Sequence, residues 1–253
     1  MHCPTETEPD SAEDPETAGT MKLVVLGATE GTGLGIVRQA IEHGHSVTAF
    51  VRSPGRLKPF RDRIAVKHGD LLNRAELEKV IQGHDAVLSG FGLRVPVSEA
   101  DANLRERFTI ALTGAMLQAE VRRVVVESTA FLFRDSIIPP TFLFGGLFFP
   151  SAVVDASAME RVFGESNLDW TMVRPPELTD KPYTEKYRVR EGHLPRFGFK
   201  ISRADVADFM IKEAENHSSI RKIVGVSRCA ELRSSVVISL ETSLHLDRGS
   251  RLD

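Results

Sequence analysis

Residues 22–43, KLVVLGATEGTGLGIVRQAIEH, read as a buried strand, a glycine-rich turn and an amphipathic helix in immediate succession. Lys22 to Leu26 is a short apolar run containing β-branched valines. Gly27, Gly31 and Gly33 follow at once, and Leu34, Val37 and Ile41 then recur at helical spacing. A strand that feeds through glycines into a helix aims backbone N–H groups and the positive helix end at one point. A diphosphate suits that point, because the amides satisfy its oxygens and no Cβ blocks its approach. Glycines also occur in plain tight turns, so the context of the motif decides.

That context continues the pattern. Gly44 is placed to stop the helix, and SVTAFVR, Ser46 to Arg52, reads as a second parallel strand. In many NAD-binding chains an acid near that strand end holds the ribose 2′-OH. Here the strand runs into Arg52, with Arg56 four residues on and no carboxylate between. A guanidinium matches a 2′-phosphate bidentately, whereas an acid would repel it. The pair favours NADPH, two solvated loop arginines being the plainer alternative.

With 253 residues the chain can bury one full α/β core, and nothing in it demands a second domain. A net charge of −3 and an isoelectric point near 6.3 argue against a dedicated nucleic-acid binder. Two cysteines, Cys3 and Cys229, are too few for a disulfide framework and fit a reducing compartment. The first 20 residues hold six acids, three prolines and no Lys or Arg, which predicts a disordered acidic tail rather than a signal peptide. The most apolar stretch, 137–150, is 14 residues long and broken by Pro and Gly, against about 20 needed to span a bilayer. A cytoplasmic protein with no membrane partner is expected.

Strand and helix patterns alternate along the rest. Further strands are expected at Arg63–His68, Ala86–Ser89, Arg123–Glu127, Trp170–Val173 and Lys222–Val226. Helices are expected near 73–82, 104–119 and 153–166, with another capped by Ser202. Such alternation specifies a Rossmann-like, doubly wound parallel sheet in a single α/β domain. The expected organisation is a tail at 1–20, the domain at 21–229 with a substrate-side insert near 134–152, and an extension at 230–253 that fits no pattern.

With these elements placed, the chain resembles the atypical short-chain dehydrogenase/reductase family. Within it the chain is similar to the NmrA-like, NAD(P)H-binding branch that includes flavin reductase/biliverdin-IXβ reductase. The resemblance covers roughly residues 21–227 and rests on GATEGTG, VTAFVRSPGRL, GDLLN, ESTAFLF, LDWTMVRPPELTD and ISRADVADFM in order. It implies that Gly27, Thr29, Gly31, Thr32 and Gly33 wrap the diphosphate of NADP(H). It further implies that Arg52 and Arg56 hold the 2′-phosphate, Asp70 and Leu71 contact the adenine, and Gly90, Phe91 and Gly92 line the ribose. Ser128 would sit near the nicotinamide, and Pro175 with Pro176 would bound that side. Two departures stand out. Glu30 occupies a position where the family reads glycine, and Glu160 stands where flavin reductase-like relatives carry a histidine.

The usual dehydrogenase of this superfamily reduces carbonyls with Ser, Tyr and Lys, the last two four apart on one helix so that the lysine lowers the phenol's pKa. The chain's two tyrosines break that rule: Tyr187 has Glu191 four on, and Tyr183 has Tyr187. Hydride transfer to a flavin, quinone or other planar conjugated acceptor is less demanding, because the acceptor delocalises the arriving charge. On this reading Ser128 is a hydrogen-bond donor, Glu160 an acid or base in a pocket (or a solvated helix carboxylate), and Tyr187 a weaker candidate proton donor. Arg174 would hold an anionic substrate or pair with Glu177 or Asp180. Phe142, Phe144, Phe148 and Phe149 form either an apolar lid for the substrate or part of the core. Eight histidines show no H-x-x-x-H spacing, so no metal is expected. A non-catalytic NmrA-like sensor of NADP(H) and a natural-product tailoring reductase or isomerase share the same fold and the same missing dyad. The sequence assigns no oligomeric state.

Overall fold

The strand at Lys22–Leu26 (β1) is flanked on both sides by parallel partners. Ser46–Val51 (β2) pairs along one edge and Ala86–Ser89 (β4) along the other. This computed structural model describes residues 19–91, 103–132, 150–196 and 198–229. Outward from β2 lies Ala65–His68 (β3), and outward from β4 lie Arg123–Glu127 (β5), Asp169–Arg174 (β6) and Lys222–Arg228 (β10). Tyr187–Glu191 (β8) closes that edge antiparallel to β10, giving the order β3-β2-β1-β4-β5-β6-β10-β8. Glu177–Thr179 (β7) and Lys200–Ser202 (β9) form a separate two-stranded parallel pair.

Both faces of the sheet are covered, which is why its strands are apolar at successive positions rather than alternately. Side-chain parity sorts them. Leu23, Val25 and Val125 face Gly31–Glu42 (α1) and Arg203–Asn216 (α5), meeting Ile36, Val37, Val206 and Met210. Val24, Leu26, Val124 and Val126 face Arg74–Ile81 (α2), Leu104–Gln118 (α3) and Pro150–Glu165 (α4), meeting Leu77, Phe108, Leu112, Met159 and Phe163. Each such side chain contributes roughly 1.5–3 kcal/mol on burial.

Local signals set the helix starts. Asn73 Oδ1 accepts from the N–H groups of Ala75 and Glu76, and Glu76 answers by accepting from Asn73 Nδ2 at 2.9 Å. Ser202 accepts from Asp205 N–H at 2.9 Å and so caps α5 as the sequence predicts. The cap of α3 comes from elsewhere in the chain: Asn103 makes no side-chain cap, and the buried Asp155 carboxylate on α4 accepts from Arg105 N–H at 3.1 Å and Glu106 N–H at 3.2 Å.

The observed sheet is the expected doubly wound one, a single Rossmann-like α/β domain. Three strands were not expected, β7, β8 and β9. The expected tail before residue 19, the aromatic stretch with its four phenylalanines and the extension from 230 lie outside the described residues. Among the described residues no helix is long and apolar enough to cross a membrane.

Candidate functional site

Strand order reverses between β1 and β4, and the carboxyl ends of these two strands open the crevice where such sheets bind ligands. The loop after β1 is held there by three backbones that leave no space for a side chain. A Cβ on Gly33 would lie 2.2 Å from Gly27 O, one on Gly90 would lie 2.5 Å from Gly33 N, and one on Gly27 would lie 2.9 Å from Phe91 N. Gly27 and Gly31 also adopt positive φ, 72° and 57°, which turns the chain from strand into helix within a few residues. The first turn of α1 contains no acid, so the positive end of the helix at the glycine loop is not neutralised from within that turn.

Above this loop lies a cavity of about 420 Å³ whose lining includes Gly27, Thr29, Glu30, Arg52, Leu71, Gly90 and Phe91. A second hollow of about 380 Å³ adjoins it at Arg52 and reaches Asp70. The bare cradle, the positive helix end and the flanking arginine fit a dinucleotide diphosphate and its adenosine half. Arg52 is shared by both hollows, whereas Arg56 stands at the rim, its Nη1 3.6 Å from Glu30 Oε2. The acid in the glycine loop is thus drawn toward an arginine across the cavity. The Asp70 carboxylate accepts from Leu72 N–H at 3.0 Å and shapes the turn that delivers Leu71 to the cavity wall. Gly92 lies outside the described residues.

The next carboxyl edge outward holds a second group. Ser128 N–H donates to Val173 O at 2.7 Å and Ala130 N–H to Pro175 O at 3.1 Å, so the segments following β5 and β6 are stitched together and Pro175 is buried beside Ser128. Ser128 Oγ donates to Glu160 Oε1 at 2.6 Å. Arg174 grips the same carboxylate with both nitrogens, Nε at 2.9 Å from Oε1 and Nη2 on Oε2. Glu160 and Arg174 side chains are only 9% and 11% exposed, so the pair is a buried one and not a solvated helix charge. The partners expected for Arg174 are engaged otherwise: Glu177 with Lys200 and Asp180 with Arg203.

Glu127, immediately before Ser128, was not singled out by the sequence. Glu127 is partly buried, its Oε2 shut from solvent and lacking a hydrogen-bond partner, and burial pushes the carboxyl above the usual carboxylate range against the opposing pull of Thr32, Arg105 and Arg203. Thr32 is itself buried at the opening of α1, its hydroxyl also without a partner. An acid ending an apolar strand is the signal that could have marked Glu127.

Tyr187 is not brought to this group. It lies on β8, separated from β5 by β6 and β10, about 14 Å at the usual strand spacing. Its hydroxyl donates to the fully buried Asp208 at 2.6 Å, and Tyr183 donates to the same carboxylate at 3.1 Å. Burial and the Asp208 charge raise both phenols, Tyr183 to about 12 and Tyr187 further.

Comparison with known proteins agrees with this fold. A family model described as NAD(P)H-binding matches residues 27–217. An uncharacterized chloroplastic protein of Arabidopsis thaliana is 27% identical over 236 residues, covering 90% of this chain and 84% of that one; a chloroplastic relative lends no support to the cytoplasmic expectation. Among solved structures, a short-chain dehydrogenase/reductase of Veillonella parvula in complex with NADP superposes with a TM-score of 0.67 at 20% identity, covering 82% of this chain and 94% of that one. ChuY, an anaerobillin reductase of Escherichia coli O157:H7, gives 0.66 at 18% identity over 82% and 97% of the two chains. At such identities the superpositions establish the shared fold, and the match over residues 27–217 establishes that the chain belongs to the NAD(P)H-binding family.

Proposed function

We propose that the protein is an NADP(H)-dependent oxidoreductase whose acceptor is a planar conjugated molecule such as a flavin or quinone. The observation that carries this reading is the fate of the tyrosines. The chain has two, and Asp208 takes a hydrogen bond from each. No phenol is therefore left beside Ser128 to protonate an alkoxide, as reduction of a simple ketone requires.

Bound NADPH supplies a hydride, and the chain's own residues position and shield. The amides of Gly31, Thr32 and Gly33 meet the diphosphate, while Arg52, with Arg56 at the rim, meets the 2′-phosphate. Arg174 donates to both Glu160 oxygens, the Ser128 hydroxyl proton points at Glu160, and the Ser128 oxygen is left to accept an N–H from whatever lies across it. This reverses the donor role expected for Ser128. Buried Pro175 walls the same side. A conjugated acceptor stores the incoming charge in its own π-system and takes its proton from water. The NADP-bound Veillonella structure and the anaerobillin reductase share the fold and are consistent with this chemistry.

The test is NADPH oxidation by the purified full chain, followed in parallel with FMN, dichloroindophenol, quinones and aldehydes. Turnover with the planar acceptors and none with aldehydes supports the proposal. Binding of NADP⁺ and NADPH with equal affinity and no turnover across the panel replaces it with a sensor of NADP(H).

A further inference from the structure

At the end of α1 opposite the glycine loop, two histidines and a glutamate converge. His43 follows the last residue of α1, Gly44 reverses the chain at φ 82°, and His45 enters just before β2. The glycine between them lets both rings turn to one side, their centroids 6.0 Å apart. Glu215, in the last turn of α5, reaches across from the helix packed on α1. One oxygen serves both rings: Glu215 Oε1 lies 2.7 Å from His45 Nε2 and 3.3 Å from His43 Nδ1. The three donor atoms lie within 4.8 Å of one another.

We infer that His43 Nδ1, His45 Nε2 and Glu215 Oε1 form a binding site for a divalent transition metal of the zinc type, with water as a fourth ligand. A tetrahedral ion with bonds of about 2.0–2.1 Å sets its donors roughly 3.3 Å apart, against 3.3 Å and 2.7 Å from Glu215 Oε1 to the two ring nitrogens, so small side-chain rotations seat it. The burial grades as such a site requires. The His45 and Glu215 side chains are 1% and 9% exposed, which fixes them, whereas His43 is 31% exposed and leaves an entry path. The far side of the His43 ring is also provided for. Its Nε2 lies 4.0 Å from Asp208 Oδ1, so a modest turn of the ring on metal binding would give it the carboxylate that backs a ligating imidazole. Asp208 is itself held by Tyr183, Tyr187 and Lys212. One contact opposes binding: Met21 N–H reaches His45 Nδ1 at 3.3 Å, and a metal on Nε2 moves the ring proton to Nδ1. That contact is long and Met21 is only half-buried, so its N–H turns to water at modest loss. Because the histidines stand two apart and the glutamate 170 residues on, no spacing in the sequence announces the site.

A 12-residue helix separates this cluster from the glycine loop, about 18 Å, so the ion clamps α1 to α5 rather than taking part in hydride chemistry. The test titrates zinc into the metal-depleted full chain by calorimetry, alongside His43→Ala and Glu215→Gln. Binding of about one equivalent, weakened tenfold or more in each variant, is expected. Zinc at a hundred times its dissociation constant should raise the wild-type melting temperature by about 5–10 °C and leave NADPH affinity unchanged. Cobalt in place of zinc reports the geometry without any variant: intense visible absorption marks a four-coordinate site, and the pale spectrum of six-coordinate cobalt overturns the assignment. Equal zinc affinity in wild type and variants, or none below millimolar zinc, overturns it as well.

Discussion

Ser128 and Glu160, 32 residues apart in sequence, meet at 2.6 Å where β5 ends against α4, and the proton in that bond belongs to the serine. The direction follows from Arg174, which holds both carboxylate oxygens of Glu160 and keeps them as acceptors. A serine held this way is neither a nucleophile nor a free donor. It presents an oriented oxygen.

Ser128→Ala removes that oxygen while leaving the glycine loop untouched. We expect turnover with a planar acceptor to fall about tenfold, the worth of one hydrogen bond of roughly 1–1.5 kcal/mol, with NADPH affinity changed by less than about threefold. Steady-state kinetics beside a binding titration separates the two. Loss of affinity without loss of turnover would assign Ser128 to cofactor anchorage instead.

Glu160→Gln keeps the size of the side chain and strips its charge. Arg174 then remains nearly buried without its carboxylate, and breaking a buried pair from one side costs about 3 kcal/mol or more. Urea unfolding should register that loss, and Glu160→Leu combined with Arg174→Met should recover part of it. Wild-type stability in the single variant would mean that solvent already screens the pair.

Arg52 borders both hollows of the adenosine half, whereas Arg56 is already drawn to Glu30. Arg52→Ala should therefore weaken NADPH by roughly tenfold to a hundredfold, the range for charge-assisted hydrogen bonds, and NADH by far less. Fluorescence titration of both nucleotides checks this. Equal losses would remove the 2′-phosphate from Arg52.

Gly33→Ala places a methyl group 2.2 Å from the Gly27 carbonyl oxygen. The loop must then open, so NADPH affinity should drop at least a hundredfold while circular dichroism retains the helical signal of the rest of the chain. Unchanged affinity would show that the β1–α1 turn does not bear the diphosphate.

The half of the molecule that carries the glycine loop was legible because its cause is local. In β1–α1 the residues that pack, turn and bind are contiguous, and valine-rich β4 and β5 are buried on both faces, so their runs stand out. Tyr187–Glu191 did not read as a strand because YRVRE alternates charge with apolar residues at a half-exposed edge, and its pairing with β10 is antiparallel. Strands of three residues such as β7 and β9 have no periodicity to detect. Ser128 was found by resemblance, but its bond to Glu160 and the Arg174 grip arise from three separate elements, and no spacing encodes them. Asp155 escaped for the same reason, capping a helix that starts about 50 residues before it.

Glu127 yields the sharpest dependence on pH. Burial raises its folded-state pKa above the value near 4.3 that it takes in the unfolded chain. Between those two values the folded state binds a proton that the unfolded state has released, so stability falls as pH rises through that window. Each tenfold difference in proton affinity between the two states is worth about 1.4 kcal/mol. Glu127→Gln abolishes the difference while preserving the shape of the side chain. The variant should therefore melt above wild type at pH 7, and its advantage should shrink to nothing as pH is lowered through the unfolded-state value. Melting temperatures of both proteins from pH 4 to pH 8 check this. Parallel curves would mean that Arg105 and Arg203 hold Glu127 ionised, leaving a fixed anion beneath the opening of α1 where NADPH must set its own charge.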